Sequence, residues 1–528
     1  MVTQFKALIF DLGGVLLEWD RSSVNALSRS QFSTIMNSTF WHDLDRGKLT
    51  VKEACDHFGN VLGVDPSIVE GSLDQAQKSL TANIPLVQTI YDLKASNPEL
   101  EFYVMSNISR EHFEVVQALD IPWPMFNRSF ASGLEGMRKP DLCFFEHVIK
   151  EIGHDPTEMI FLDDTPENIC AARSLGIHSI LVDNRLAKVG GTLRNLMEDP
   201  LARAGDYMEA NAKKHHCVVE GHDDIILKDN FAQLLIWELT GDEDIIYLKW
   251  PTGALSGSPD SKVNGNTQPT TFSTSDVESG LWNYFYEKPA LTTREFPPDA
   301  DTTAIAYLSL PPDRLRRVAD IEKVLDLMVA NADPSGIMQT YFAASRPRTT
   351  PEVCCNIVRA FHRFGHGADP RKKQTEDWVV QCLANGACLD GNRYYSTPES
   401  FLYFVALLHA ECAATTTTTT TTTTASSSLR ERLEVVKVKL GERLDMPTNP
   451  VALALRISAC QVVGIDPQLY RKDLTRLLDL QQEDGGWPAG HFCCYGRTGA
   501  RIGNRGLTTA LAMKIIRHER ALASKLFF

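Results

Sequence analysis

The sequence predicts two domains of different class, a doubly wound α/β sheet with a helical cap over residues 1–195 and an all-α barrel over residues 196–528. Three observations carry this. A chain of 528 residues exceeds what one hydrophobic core ordinarily organises. Short β-rich apolar runs alternate with amphipathic stretches in the first third, and helix-start signals recur at intervals of about fifty residues in the rest.

The runs Ala7 to Phe10, Phe102 to Met105, Met159 to Leu162 and Ser179 to Val182 lack polar alternation, as strands buried on both faces of a parallel sheet do. Each leads into a polar or glycine-containing turn. Between the first two runs, residues of about 20–95 are strand-poor and helical, which predicts a cap over the carboxyl edge of the sheet. Beyond residue 200, Thr350-Pro351-Glu352 and Thr397-Pro398-Glu399 place an N-cap, a proline at the first helical position and an early carboxylate ahead of an apolar run. Related starts are expected at Asp301-Thr302-Thr303, Thr448-Asn449-Pro450 and Thr508-Thr509, which together predict stacked helix pairs. The Thr/Ser tract within residues 413–428 has no apolar area to bury and is expected to be a disordered insertion.

A net charge of -14 and a pI near 5.5 argue against a non-specific nucleic-acid binder, because no basic stripe exists to neutralise phosphates. Any polyanionic ligand must be held locally, by a metal or a few basic residues. The first residues do not read as a signal peptide and no stretch approaches a membrane span, so a cytoplasmic enzyme without stable membrane insertion is expected. Twelve cysteines without secretory context read as reduced thiols. His215, His216, Cys217 and His222 lack the second ligand pair that a structural zinc site requires.

Chemistry-bearing residues end each predicted strand. Asp11 closes the first within Phe10-Asp11-Leu12-Gly13-Gly14, Ser106-Asn107 closes the second, Lys139-Pro140 follows a loop, and Asp163-Asp164 closes the third. Ligands of open α/β sheets bind at such carboxyl ends. The series resembles the four motifs of the haloacid dehalogenase (HAD) superfamily over about residues 5–190, and implies a HAD-like Rossmannoid sheet. By that resemblance Asp11 is a nucleophile, Ser106, Asn107 and Lys139 hold phosphoryl oxygens, and Asp11, the Gly13 carbonyl, Asp163 and Asp164 bind Mg²⁺. Gly13 stands where the superfamily's phosphatases usually carry a second aspartate as general acid and base. Its absence favours cleavage of a diphosphate, whose leaving group needs little protonation, over release of an alkoxide. The spacing Asp163-Asp164-Thr165-Pro166-Glu167 also matches a magnesium motif of class I terpene synthases, but its place after a strand favours the HAD reading.

In the second domain, Asp299-Ala300-Asp301-Thr302-Thr303 sets two carboxyls two residues apart, where burial and like charge raise their pKa values. Aromatic residues from Trp282 to Tyr286 precede it, and Gln482-Glu483-Asp484-Gly485-Gly486-Trp487 lies near the C-terminus. The combination resembles class II terpene cyclases, and the Thr-Thr form resembles drimane-type sesquiterpene cyclases that carry a HAD-like domain. That implies an α-barrel with Asp301 as the acid that protonates an alkene, Asp299 and Thr302 orienting its carboxyl. Trp282, Tyr284, Phe285, Tyr286, Tyr394, Tyr395, Phe401 and Phe404 are candidates to face the substrate cation. Trp487 is a further aromatic candidate, for which the resemblance prefers a structural role as a staple between helices.

The substrate implied by the resemblance is farnesyl diphosphate, cyclised to a drimane-type bicyclic diphosphate that the first domain then dephosphorylates. Lys288, Arg294, Arg346, Arg348 and Arg393 are the candidate partners of the diphosphate. Two competing readings are a cyclase whose HAD-like half is only a scaffold, and a non-catalytic interaction protein. Chain length of the substrate, stereochemistry and oligomeric state have no signature in the sequence.

Overall fold

The computed structural model describes residues 5–20, 22–182, 187–251, 280–315, 320–415 and 423–525. The chain divides into two compact units, Met1–Glu198 and Asp199–Phe528.

The strands of the first unit are β1 (Ala7–Phe10), β2 (Leu17–Glu18), β3 (Thr81–Ala82), β4 (Glu101–Ser106), β5 (Arg128–Ala131), β6 (Met159–Asp163) and β7 (His178–Leu181). A parallel sheet runs in the order β5-β4-β1-β6-β7, with Ala7 level with Glu101 on one side and Met159 on the other. Both faces of the sheet are covered. Leu8 and Phe10 enter one core with Phe102, Val104 and Ile160, while Ala7 and Ile9 enter another with Phe144, Phe145 and Phe161. The edge strand β5 escapes the sequence pattern because it is short, begins with Arg128 and is only half buried.

Four helices, Arg29–Met36, Thr39–Asp45, Val51–Leu62 and Pro66–Lys78, form the cap around their own core of Ile35, Trp41, Leu44 and Phe58. Ser28 and Thr50 begin two of them with reciprocal capping boxes to Gln31 and Glu53. The cap ends before the expected residue 95. The next helix, Ile84–Ser96, buries Leu86, Ile90 and Leu93 in the core of the sheet.

In the second unit six helices follow one another around a closed ring: Asn230–Thr240, Ala300–Ser309, Pro351–Arg363, Pro398–Thr415, Pro450–Val463 and Arg505–Lys525, the last packing back on the first. Pro450–Val463 is buried along almost its whole length, as befits an inner helix with no solvent face. Arg456 on it is fully buried between Glu399 at 2.9 Å and Asp473 at 3.0 Å, which ties three helices together. The expected starts at Pro351, Pro398 and Pro450 coincide with helix N-termini. Thr508 and Thr509 instead lie inside a helix begun by Asn504, whose Oδ1 accepts from Leu507 N, and both hydroxyls donate to carbonyls four residues back. Of the tract expected to be disordered, residues 416–422 lie outside the described residues, and 423–428 belong to the helix Thr423–Leu433. An antiparallel sheet of β8 (Val218–Val219), β9 (Gly490–Cys494) and β10 (Arg501–Asn504) completes the unit.

No helix among the described residues is long and apolar enough to cross a membrane.

Candidate active sites

In the first unit, the carboxyl ends of β1, β4 and β6 gather Asp11, Ser106 and Asp163. Lys139 is the hub of this group. Its Nζ, buried, lies 3.0 Å from Asp11 Oδ1 and donates to Asp163 Oδ2 at 2.5 Å and to the Met105 carbonyl at 2.8 Å. Burial pulls the lysine down, and Asp11 and Asp163 more than reverse this, so it is held above its ordinary value. Burial pushes Asp11 up to about 7, opposed by Lys139 and reinforced by Asp163 and Asp164.

Asp11, Asp163 and Asp164 bring one carboxylate oxygen each to within 4.8 Å of one another. Such a set of hard oxygens fits a magnesium ion. Glu167, the last residue of the class I-like spacing, is not in this group and sits in the first turn of the helix Pro166–Ser174. Asn168 Nδ2 holds both oxygens of Asp163, at 2.9 and 3.0 Å, a contact that sequence reasoning misses. The Asn107 side chain, expected at a phosphoryl oxygen, is engaged elsewhere. Its Oδ1 accepts from Lys139 N at 2.8 Å and its Nδ2 donates to the Lys139 carbonyl at 2.9 Å, so it clamps the lysine's backbone instead. A Cβ built on Gly13 would meet nothing within 4 Å, whereas one on Gly14 would strike Asp164 Oδ2 at 2.3 Å.

In the second unit, Asp299 is the N-cap of the helix Ala300–Ser309, which places Asp301 in its first turn. The expected mutual support within the motif is not what forms. Asp299 Oδ1 accepts from Thr302 N at 2.7 Å and its Oδ2 accepts from Thr302 Oγ1 at 2.9 Å, so these two residues satisfy each other. Asp301 is held from elsewhere in the chain: Asn356 Nδ2 donates to Oδ1 at 2.9 Å, and the Tyr395 hydroxyl donates to Oδ2. Asn356 is itself fixed, because its Oδ1 accepts from Arg359 Nη1 at 3.1 Å while Arg359 Nη2 bonds Glu238 at 2.7 Å. Sequence reasoning misses Asn356 and Arg359; two polar residues in the otherwise apolar run from Val353 to Phe361 are the available signal.

Asp301 is only 7% exposed. Burial pushes it up to about 6 against the pull of Tyr395 and Asn356, and pushes Asp299 up to about 7 with Asp301 adding to the effect. Both line a cavity of about 470 Å³, within the range of small-molecule sites. Among the described residues they are its only carboxylates. An arc of neighbouring rings, Tyr284, Phe285, Phe296, Tyr341 and Tyr394, lines the same space with centroids 4.9 to 6.0 Å apart.

Arg346, Arg348, Arg393 and Arg497 also line the cavity, and none is ion-paired with a described carboxylate. Arg346 lies over the rings of Phe296 and Tyr341, at 5.0 and 5.6 Å. The first three are candidates read from the sequence and Arg497 is not, while Lys288 and Arg294 do not line the cavity. Trp282 and Tyr286 are corrected as substrate contacts. Trp282 is buried against Trp250 and Tyr286 packs on Tyr247, both outside the cavity lining, because adjacency to the acid motif in sequence does not set which way a ring faces. Phe401 and Phe404 also lie outside the lining. Trp487 is a staple, donating from Nε1 to the Leu477 carbonyl at 2.7 Å and from its backbone to Thr509 Oγ1 at 3.0 Å.

Residues 201–364 match the family described as sesquiterpene cyclase astC-like C-terminal domain. The chain is 34% identical to drimenol cyclase drtB of Aspergillus calidoustus, over 97% of this chain and 88% of that protein. It is 35% identical to sesquiterpene phosphatase astK of Aspergillus oryzae, over 35% of this chain and 94% of that protein. Among solved structures, a HAD family enzyme from Bacteroides thetaiotaomicron in complex with magnesium and inorganic phosphate is 23% identical, covering 34% of this chain and 93% of that chain with a TM-score of 0.29.

Proposed function

The chain belongs to the family of sesquiterpene cyclases that includes drimenol cyclase drtB, and from that premise we propose that its second unit cyclises farnesyl diphosphate by protonation and its first unit dephosphorylates the product. The observation that carries the reading is Asp301, a buried carboxyl with neutral hydrogen-bond partners on the wall of an aromatic cavity. An alkene is too weak a base for an ionised or hydrated acid. Burial keeps a neutral fraction of Asp301, and its proton adds to the terminal alkene of the substrate. Two ring closures follow, and the cation that moves along the chain meets the aromatic arc, each face contributing about 0.5–2 kcal/mol. Loss of a proton ends the cascade as a drimane-type bicyclic diphosphate.

The four arginines of the cavity answer the problem that an acidic chain poses for a polyanionic substrate: they supply local positive charge where the overall balance is negative. In the first unit, Asp11 is the nucleophile toward the phosphoryl group, and Lys139 holds Asp11 in place while offsetting phosphoryl charge. Asp11, Asp163, Asp164 and the Gly13 carbonyl would hold Mg²⁺, which supplies charge neutralisation at the phosphoryl oxygens. A cytoplasmic setting fits twelve cysteines, all within the described residues, none of which forms a disulfide.

Incubation of the full chain with farnesyl diphosphate and Mg²⁺, followed by mass spectrometry without added phosphatase, tests both halves. A bicyclic sesquiterpene alcohol is expected. Persistence of bicyclic diphosphate would remove the hydrolase assignment, and linear products alone would remove the cyclase assignment.

A further inference from the structure

Behind the cavity lies a second, much smaller void of about 20 Å³. Its walls are mainly apolar, with Leu235, Leu455, Phe492, Leu507 and Leu511 among them. Among the described residues, only Phe231 and Tyr395 border both the void and the cavity. Tyr395 is committed to Asp301 through its hydroxyl. Phe231 has no such duty. It is 2% exposed, on a helix pinned by Asp229, whose Oδ1 accepts from Ala232 N at 2.7 Å, and its ring stacks on Tyr284 and Phe492 at 6.3 and 6.2 Å.

We propose that Phe231 sets the length of prenyl chain the site accepts, by closing the cavity off from the apolar void behind it. The inference rests on the proposed cyclase reading. With the diphosphate held by arginines and the proton held by Asp301, the alkene presented to the acid is fixed by its distance from the diphosphate. In farnesyl diphosphate that alkene is terminal, and only its two methyl groups pass beyond the acid. In geranylgeranyl diphosphate the same alkene is internal and carries a further prenyl unit. That unit needs space past the acid, and the void, which shares with the cavity both Phe231 and the Tyr395 that holds Asp301, is the apolar space at hand. Replacing the benzyl side chain by a methyl group would join the cavity to the void and vacate more carbon than one isoprene unit brings.

The chemistry then balances as in the shorter substrate. One proton from Asp301 adds to the alkene, two carbon–carbon bonds close the rings, one proton leaves the carbon beside the final cation, and the product is an isomer of the substrate. Its distinguishing mark is that, on the ring carbon carrying two methyl groups in the farnesyl product, one of the two methyls is extended by a prenyl unit.

The test compares the wild type, Phe231→Ala, Phe231→Leu and the double variant Phe231→Ala/Leu511→Phe on farnesyl and geranylgeranyl diphosphates, with products identified after enzymatic dephosphorylation. The wild type is expected to favour the farnesyl substrate by about tenfold or more in kcat/KM, as a misfit of at least one methylene does. Phe231→Ala is expected to lose most of that preference and to give the prenyl-extended bicycle. Phe231→Leu should change in the same direction by less, and keeps the proposal testable if the alanine variant does not fold. Refilling the void in the double variant should restore exclusion. A folded Phe231→Leu or Phe231→Ala protein that cyclises farnesyl diphosphate with the wild-type preference would overturn the gate, as would a longer product lacking the prenyl extension. Absence of any bicycle from farnesyl diphosphate in the wild type would instead overturn the cyclase reading, and the gate with it.

Discussion

Both units bury a pair of aspartates, and they surround them with opposite company. Asp11 and Asp163 share the buried ammonium of Lys139, at 3.0 and 2.5 Å, whereas Asp299 and Asp301 have only neutral donors, Thr302, Asn356 and the Tyr395 hydroxyl. Burial raises both sites, to about 7 at Asp11 and about 6 at Asp301, so the difference lies in what opposes it. At Asp11 the opposing group is a cation that does not by itself bring the carboxyl below Asp301, and a bound Mg²⁺ would add the positive charge that favours the carboxylate a nucleophile or metal ligand requires. Burial against neutral donors alone leaves part of the Asp301 population protonated near pH 6, which suits an acid. The same side chain is thus directed to two chemistries by its partners. A pattern of aspartates alone does not say which.

Exchange of function is the strongest way to break this contrast. Asp301→Asn should lower ring formation by about 10³-fold or more, while Asp11→Asn should lower phosphate release by a similar factor of about 10³ and leave ring formation intact. Product mass spectrometry separates the two. A next test uses stability. Asp301 is raised from 3.8 to about 6, so its contribution is fully present below 3.8 and is lost as pH rises through about 6. Two pKa units correspond to about 3 kcal/mol, which Asp301→Asn should not lose; urea unfolding of both proteins between about pH 4 and 8 measures it.

A smaller effect is expected at Gly13, where a side chain has open space. Gly13→Asp should raise hydrolysis of an alkyl monophosphate by about tenfold or more while diphosphate cleavage changes less, measured as phosphate release. The smallest is a shift in pH dependence. Cyclisation should fall as pH rises through about 6, and Tyr395→Phe, by removing a donor that pulls Asp301 down, should move that fall to higher pH in initial-rate profiles.

Much of this is legible where the chemistry is contiguous in sequence. The strand ends that deliver Asp11, Ser106 and Asp163 and the helix starts at Pro351, Pro398 and Pro450 are local signals, and the structure contains them. What is not legible depends on contacts between distant segments. Tyr395 and Asn356 reach Asp301 across 94 and 55 residues of chain, so no spacing rule points to them. Trp282 misleads for the converse reason, since proximity along the chain leaves its ring facing Trp250. Asn107 has donor and acceptor groups suited to a phosphate, and only the structure places both on the backbone of Lys139.

The role of Asp301 is tested most directly by running the cyclisation in D₂O with the Asp11→Asn protein, so that the bicyclic diphosphate accumulates. A single deuterium on the carbon that was the terminal alkene CH is the expected result. A bicycle carrying no deuterium at that carbon, or one formed equally well after Asp301→Asn, would contradict the account.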